Sequence, residues 1–291
     1  MVKQKFDEEN VNFFAKEIAR KLCSANKQNA IIMISGQMGS GKSYTALELA
    51  RLISIYIAQK LKTVPEDHFS MNNIGIMVMD EIAQIYEHMD SHYRCVYIID
   101  DAGATFNSRR FTSDANIAQN DRIQTMRPHS NCVIFTVPMK SLMDKVVRNL
   151  SGYMIFMKDP MFEVNMTCCD IRRIQIDLTS DKEKVYRKYL QNHRGDKFKL
   201  HLFRKPPDEW CEQYDIRRAK AEKKLADKSR EIVERANESK QPKKKKSDIY
   251  KDHLRKFKEG KFGDMSLRQS CIDEGLPYQS VLNMKAEVNI K

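Results

Sequence analysis

Eight consecutive residues, Gly36-Gln37-Met38-Gly39-Ser40-Gly41-Lys42-Ser43, satisfy the pattern G-x-x-x-x-G-K-[ST] at every fixed position. The chemistry of that pattern is phosphate binding. Glycine at 36, 39 and 41 lets the backbone turn tightly, so that its N–H groups point inward at phosphate oxygens. Lys42 supplies an ammonium for the outer phosphates of a nucleoside triphosphate, the Ser43 hydroxyl supplies a ligand for Mg2+, and Tyr44 completes the set of nucleotide contacts. The expected cofactors are ATP and Mg2+.

Hydrolysis needs a carboxylate near the metal at the end of a neighbouring strand, and two acidic pairs compete. Asp80-Glu81 follows Ile76–Met79, but its continuation is helical, and Asp80 there has a structural use as an N-terminal cap. Asp100-Asp101 follows Val96–Ile99 and precedes Ala102-Gly103, small residues that allow close backbone approach at a strand tip, where ligands bind. The second pair is preferred: Asp100 to hold Mg2+ through water, Asp101 to polarise the attacking water. Thr136, at the end of the next strand, can contact the terminal phosphate or that water; the alternative is a threonine satisfying local backbone. A catalytic arginine from a neighbouring subunit has candidates in Arg127, Arg122, Arg109, Arg110 and Arg148. Arg127 ranks first because it lies where a helix ends before a strand.

These residues require a scaffold that alternates strand and helix. Val11, Phe14, Ile18 and Leu22 recur at helical spacing within 9–24. Ala30–Ser35 is a short continuous apolar run that feeds the glycine loop, and a long helix from Lys42 to about Gln59 follows. Further strands are expected at Ile74–Met79, Cys95–Ile99, Cys132–Val137 and Gly152–Met157. Helices are expected over Asp80–Met89, Thr112–Met126 and Leu142–Leu150. Strands apolar on both faces and separated by helices define an α/β fold with a mostly parallel central sheet flanked by helices. Phe162–Leu178 reads as an edge strand pair and Ile216–Asn237 as a charged helix. The expected division is a core over 1–205, a charged helix and basic linker over 206–246, and a small all-α module over 247–291.

The chain carries 51 Lys+Arg against 39 Asp+Glu, a net charge of +12. Between Arg217 and Lys261 there are eighteen basic and eight acidic residues, a net of +10, so nearly all the excess lies in one stretch. Such a one-sided run favours a polyanionic partner through counterion release. Downstream, Leu267 to Val281 has helix-turn-helix spacing: small Cys271 lies four before Gly275, which can adopt a left-handed turn. Leu276, Val281 and Met284 provide core contacts and Gln279, Ser280 and Asn283 an outward face for base edges. Glu274 stands at a position normally apolar, and a helical bundle for protein contacts is the other reading of the segment. No apolar run approaches a membrane span, and 1–10 is too charged for a signal peptide. Seven cysteines without a C-x-x-C pair fit reduced thiols, and the expected location is cytoplasmic.

Three segments together carry a resemblance: ISGQMGSGKS, VYIIDDAGATFNSRR and DRIQTMRPHSNCVIFTVPMKSLMDKVVRNLSGYMIF. The first fits P-loop nucleoside triphosphatases at large. All three resemble the FtsK–HerA superfamily of DNA-pumping ATPases, especially its zonula-occludens-toxin-like and viral packaging branches. The resemblance spans about Ala30–Met157. It implies Lys42 and Ser43 on nucleotide and metal, Asp100 on metal, Asp101 in the catalytic acid position and Thr136 as sensor. It also implies a homo-oligomeric ring, commonly a hexamer, that threads double-stranded DNA. Asp101 stands where the family usually has Glu, and Val137 where many members have Gln.

Overall fold

The computed structural model describes residues 8–76, 79–104, 121–125, 127–177, 184–191, 195–240 and 246–283. The chain divides into two compact units, Met1–Ala226 and Asp227–Lys291.

The first unit is built on a sheet whose strands run in the order β2-β3-β4-β1-β5-β6-β7-β8, with β9 also paired to β6. Its first half is parallel: β1 (Ala30–Ser35), β2 (Ile74–Ile76), β3 (Val96–Asp100), β4 (Cys132–Val137) and β5 (Tyr153–Met161). Both faces of these strands are covered, which is why they read as unbroken apolar runs. Ile32, Ile34, Val96, Ile98 and Ile134 face one core with α1 (Glu8–Leu22) and α2 (Lys42–Leu61). Met33, Tyr97, Ile99, Val133 and Phe135 face the other, with α3 (Met79–Ser91), a helical turn at 121–125 and α4 (Lys145–Leu150). The expected strand at Ile74–Met79 is shorter, because α3 already begins at Met79. Of the helix expected over Thr112–Met126, only 121–125 lies within the described residues, and it is helical.

The second half of the sheet is antiparallel. Phe162–Leu178 does not form a strand pair. A single short turn (Phe162–Val164) leads into one twelve-residue strand, β6 (Met166–Asp177). One edge of β6 pairs with β5, and the other is shared by β7 (Lys184–Gln191) and β9 (His201–Arg204); β8 (Lys197–Phe198) adds to β7. The chain then enters α5 (Asp208–Lys240), 33 residues long, and the boundary between the two units falls inside it. Its start is fixed to the first unit: Trp210 stacks on Phe69 at 5.4 Å, Tyr214 and Ala221 join the core, and Arg217 donates to the carbonyls of Met71 and Ile74.

The second unit contains α6 (Lys246–Lys258), α7 (Leu267–Asp273) and α8 (Tyr278–Asn283) around Leu254, Cys271 and Val281. The Ser266 hydroxyl caps α7 by accepting from Gln269 N at 3.3 Å. At its other end Gly275, with φ +64°, donates to Ile272 O, and Leu276 N donates to Cys271 O at 2.7 Å. That pair of bonds is a Schellman turn, closed by the apolar contact of Leu276 within the same small core. Glu274 is exposed, so its charge meets water where an apolar residue was expected. Met284 lies outside the described residues.

Candidate nucleotide site

The site is assembled at the carboxyl ends of β1, β3 and β4, where an open parallel sheet offers a crevice to ligands. Register places Ser35 beside Val137, and Gly36 N donates to Val137 O at 3.3 Å, so the loop leaves the sheet directly over β4. Val137 itself is fully buried. Gly39 and Gly41 have φ of +76° and +81°, the left-handed region that a side chain disfavours. A Cβ at Gly36 would stand 2.6 Å from Met157 Cβ, and one at Gly41 would stand 2.5 Å from Thr167 Cγ2. Glycine is required at both for space, and at Gly41 for conformation as well.

Gly41 brings no side chain to the start of α2, leaving the first-turn N–H groups and the positive end of the helix aimed into the loop. Lys42 Nζ donates to Gln37 O at 2.7 Å, so the ammonium lies within the curve of its own loop. Burial pushes its pKa down, while Asp101 and Asp100 pull it back up. Ser40 Oγ is buried and has no protein partner, an acceptor and donor turned into the loop. Met38 is exposed at the tip.

Beneath the loop, Asp100 is completely buried and receives three hydroxyls. Ser43 Oγ donates to it at 2.9 and 3.1 Å, Thr136 Oγ1 at 2.6 Å, and the Tyr214 hydroxyl contacts Oδ2. A buried carboxylate is tolerated only with such partners. Thr136 Oγ1 also accepts Asp101 N at 2.9 Å, which ties the two acids together through one side chain. Asp101 has φ +49°, a conformation that Asp and Asn adopt more readily than other residues with a side chain. Burial raises its pKa, Asp100 adds to the rise, and Arg218 and Lys42 act against it. A hydroxyl and a carboxylate converging under a phosphate cradle are the donor set for Mg2+ shared with a triphosphate. Ser43 and Asp100 fit that role. Among the described residues no group of three or more His, Cys, Asp or Glu could hold a metal ion alone.

The competing acids lie elsewhere. Asp80 is exposed in the first turn of α3. Glu81 accepts Ile76 N at 3.3 Å and pairs with Lys224 at 3.5 Å. Among the arginines considered, Arg122 is exposed and pairs with Asp90, while Arg148 is on α4. Arg127 opens the turn Arg127–His129 before β4, and its side chain, like Arg109 and Arg110, lies outside the described residues.

Sequence reading missed the contribution of α5. A cavity of about 730 Å³ is lined by Gly39, Gly41, Lys42, Ser43, Tyr44 and Asp101 together with Tyr214, Asp215 and Arg218 of that helix. The Tyr44 hydroxyl donates to Asp215 at 2.9 Å, and Arg218 Nη2 donates to Asp101 at 3.3 Å. The available signal was the spacing of Trp210, Cys211, Tyr214 and Ala221, an apolar stripe that starts well before the charged stretch.

The wound sheet with a glycine cradle between β1 and α2 and a Ser–Asp pair beneath it defines a P-loop nucleoside triphosphatase. Residues 13–193 match the family described as Novel STAND NTPase 3, and the chain belongs to that family. No curated protein matches the sequence. Among solved structures, the N-terminal domain of zonular occludens toxin from Neisseria meningitidis is similar at 13% identity and a TM-score of 0.34, over 59% of this chain and 100% of that one. The genome packaging NTPase B204 of Sulfolobus turreted icosahedral virus 2 is similar at 12% identity and a TM-score of 0.32 in its sulfate complex, over 58% of this chain and 100% of that one. Its ATP-gammaS complex gives 13% and 0.32, over 56% and 98%. These are distant likenesses. No helix among the described residues is long and apolar enough to cross a membrane.

Proposed function

We propose that the chain is a Mg2+-dependent ATPase that acts on double-stranded DNA. The observation that carries the enzymatic part is the Ser43–Asp100–Thr136 hydroxyl–carboxylate array directly beneath a glycine cradle. In this reading the backbone of Gly36–Ser43, flanked by Tyr44, holds the phosphates, and Lys42 offsets their charge. Ser43 and Asp100 hold Mg2+, which neutralises negative charge on the outer phosphates when bound. Asp101 orients and deprotonates the attacking water, and Thr136 fixes the distance between the two acids. Arg127 is the candidate for a cation delivered to a neighbouring subunit.

The DNA part rests on charge and on the second unit. The stretch from Arg217 to Lys261 carries a net of +10. The Schellman turn at Gly275 sets α8 after α7 with Gln279 and Asn283 exposed, the arrangement of a helix that reads base edges. The resemblance to FtsK–HerA ATPases points to genome packaging or translocation by a homo-oligomeric, hexameric ring in the cytoplasm. A second reading, a nucleotide-switched DNA-binding regulator that moves nothing, is favoured by one observation: α5 contacts both acids of the site, and the second unit begins within the same helix.

The test is steady-state phosphate release with double-stranded DNA of increasing length. A motor responds with turnover that rises with length and vanishes in Lys42→Ala. Turnover indifferent to length, with tight binding of one defined sequence, establishes the regulator. Removing 243–291 should lower DNA affinity and flatten its dependence on salt; unchanged binding rejects the role given to the second unit.

A further inference from the structure

The nucleotide cleft has a wall that the phosphate loop does not supply. Tyr214, Asp215 and Arg218, on two successive turns of α5, line the same cavity as Gly39, Lys42 and Ser43. The helix is held there by contacts independent of any ligand: Trp210 on Phe69, Arg217 on the carbonyls of Met71 and Ile74, and the Tyr214 hydroxyl on Asp100. Arg218 is therefore a placed residue rather than a free surface chain.

Its partners define what it can do. Nε donates to Glu222 at 2.9 Å, one turn along its own helix. The other end of the guanidinium faces the site: Nη2 is 3.3 Å from Asp101, and Nη1 is 3.5 Å from the Tyr214 hydroxyl and 3.9 Å from Asp100. The helix-side bond is short and the site-side contacts are long, so the fork is anchored at one end and loosely engaged at the other. Its side chain is 35% exposed, open to the cavity. A guanidinium stays charged at any working pH, and its planar donors match phosphate oxygens in pairs. Lys42, which also lines the cavity, is held in the curve of the loop through Gln37 O. Arg218 instead reaches Asp101, the acid assigned to the attacking water, across the cavity that the phosphate loop also lines.

We propose that Arg218 binds the terminal phosphate in cis, so that α5 distinguishes ATP from ADP. This rests on the reading of the cleft as an ATP site. It requires no neighbouring subunit, and it makes α5 the element whose contacts depend on which nucleotide is bound.

The test is equilibrium binding of AMPPCP and of ADP, each with Mg2+, to the full chain and to Arg218→Gln. Expected is a loss of AMPPCP affinity of about tenfold or more with ADP affinity kept within about twofold, and partial recovery in Arg218→Lys. An equal loss for both nucleotides, or none for either, overturns the proposal. Unmodified chain that binds neither nucleotide refutes the ATP site itself, a result distinct from failure of the Arg218 role. Should the variants not fold, amide hydrogen exchange over 208–226 in the unmodified chain decides. Protection that differs between AMPPCP and ADP supports the inference, and identical protection with both overturns it.

Discussion

The hydroxyl of Tyr214 rests on Oδ2 of Asp100, joining residues 114 positions apart in the chain. Asp100 ends β3 in the parallel half of the sheet, and Tyr214 comes from the helix that follows β9 in the antiparallel half. The carboxylate that faces the nucleotide loop is thereby also a support for α5.

Replacing Asp100 by Asn keeps the shape and removes the charge. Ser43 would retain a hydrogen-bond partner, but the metal would lose its carboxylate. ATP affinity of the unmodified chain should be stronger with Mg2+ than with EDTA, and in Asp100→Asn the two affinities should coincide. Calorimetric titration in both buffers checks this; a variant that keeps its metal dependence removes Asp100 from the metal site.

Asp101 separates backbone demand from chemistry. At φ +49° both Asp and Asn are tolerated, whereas a longer side chain there costs on the order of 1 kcal/mol. Asp101→Asn should melt like the unmodified chain, bind ATP, and hydrolyse it about 100-fold or more slowly. Asp101→Glu keeps a carboxylate but should melt roughly 2–4 °C lower. Normal turnover in Asp101→Asn, with loss in Asp80→Asn or Glu81→Gln, would return the catalytic role to the other acidic pair.

Burial, and then Asp100, raise the pKa of Asp101. A base must be unprotonated to act, so the raised value moves the acid limb of kcat/KM to higher pH than an ordinary aspartate would give. Arg218 works against that rise. Its replacement by Gln should therefore shift the limb further up, measurable as a pH–rate profile; a downward shift would contradict the contact.

Outside the lining of the cleft, His201 is buried and both ring nitrogens lack side-chain partners. Burial pushes its pKa down to about 4. Protons thus bind the unfolded chain more readily, and the neutral ring favours the fold above the ordinary histidine value, a preference lost as pH falls from about 6.5 toward 4. At pH 5 the loss is roughly 2 kcal/mol. Denaturant unfolding at pH 7 and pH 5 should show it, and His201→Leu should show less pH dependence by that amount.

The parallel half of the sheet was legible because strands covered on both faces must be apolar throughout, as in Ala30–Ser35 and Cys132–Val137. Once those strands were placed, Asp100 and Thr136 followed as neighbouring strand tips. The antiparallel half was legible only in part: Phe162–Leu178 read as strand, though as a pair and not as the one long β6, while β7 exposes most of its residues and carries no apolar run to mark it. The start of α5 was hidden differently. The charged helix was expected only from Ile216, so Tyr214 fell outside it and Arg218 read as one more of its charges; the tertiary contacts with Asp100 and Asp101 give them another role. The left-handed backbone of Asp101 depends on the turn that follows β3; an aspartate tolerates that conformation without announcing it.

Thr167 bears on the loop from an unexpected quarter. It leaves no room for a Cβ at Gly41, and its hydroxyl is 2.9 Å from that of Thr45 on α2. Because Thr167 belongs to β6, a slip of one residue in that strand would turn its side chain to the opposite face. The shape of the glycine loop is therefore set through the hairpin as well as through its own residues. A genetic selection for suppressors of Gly41→Ala should recover smaller residues at 167, mapping the phosphate site onto a strand with no phosphate-binding motif of its own.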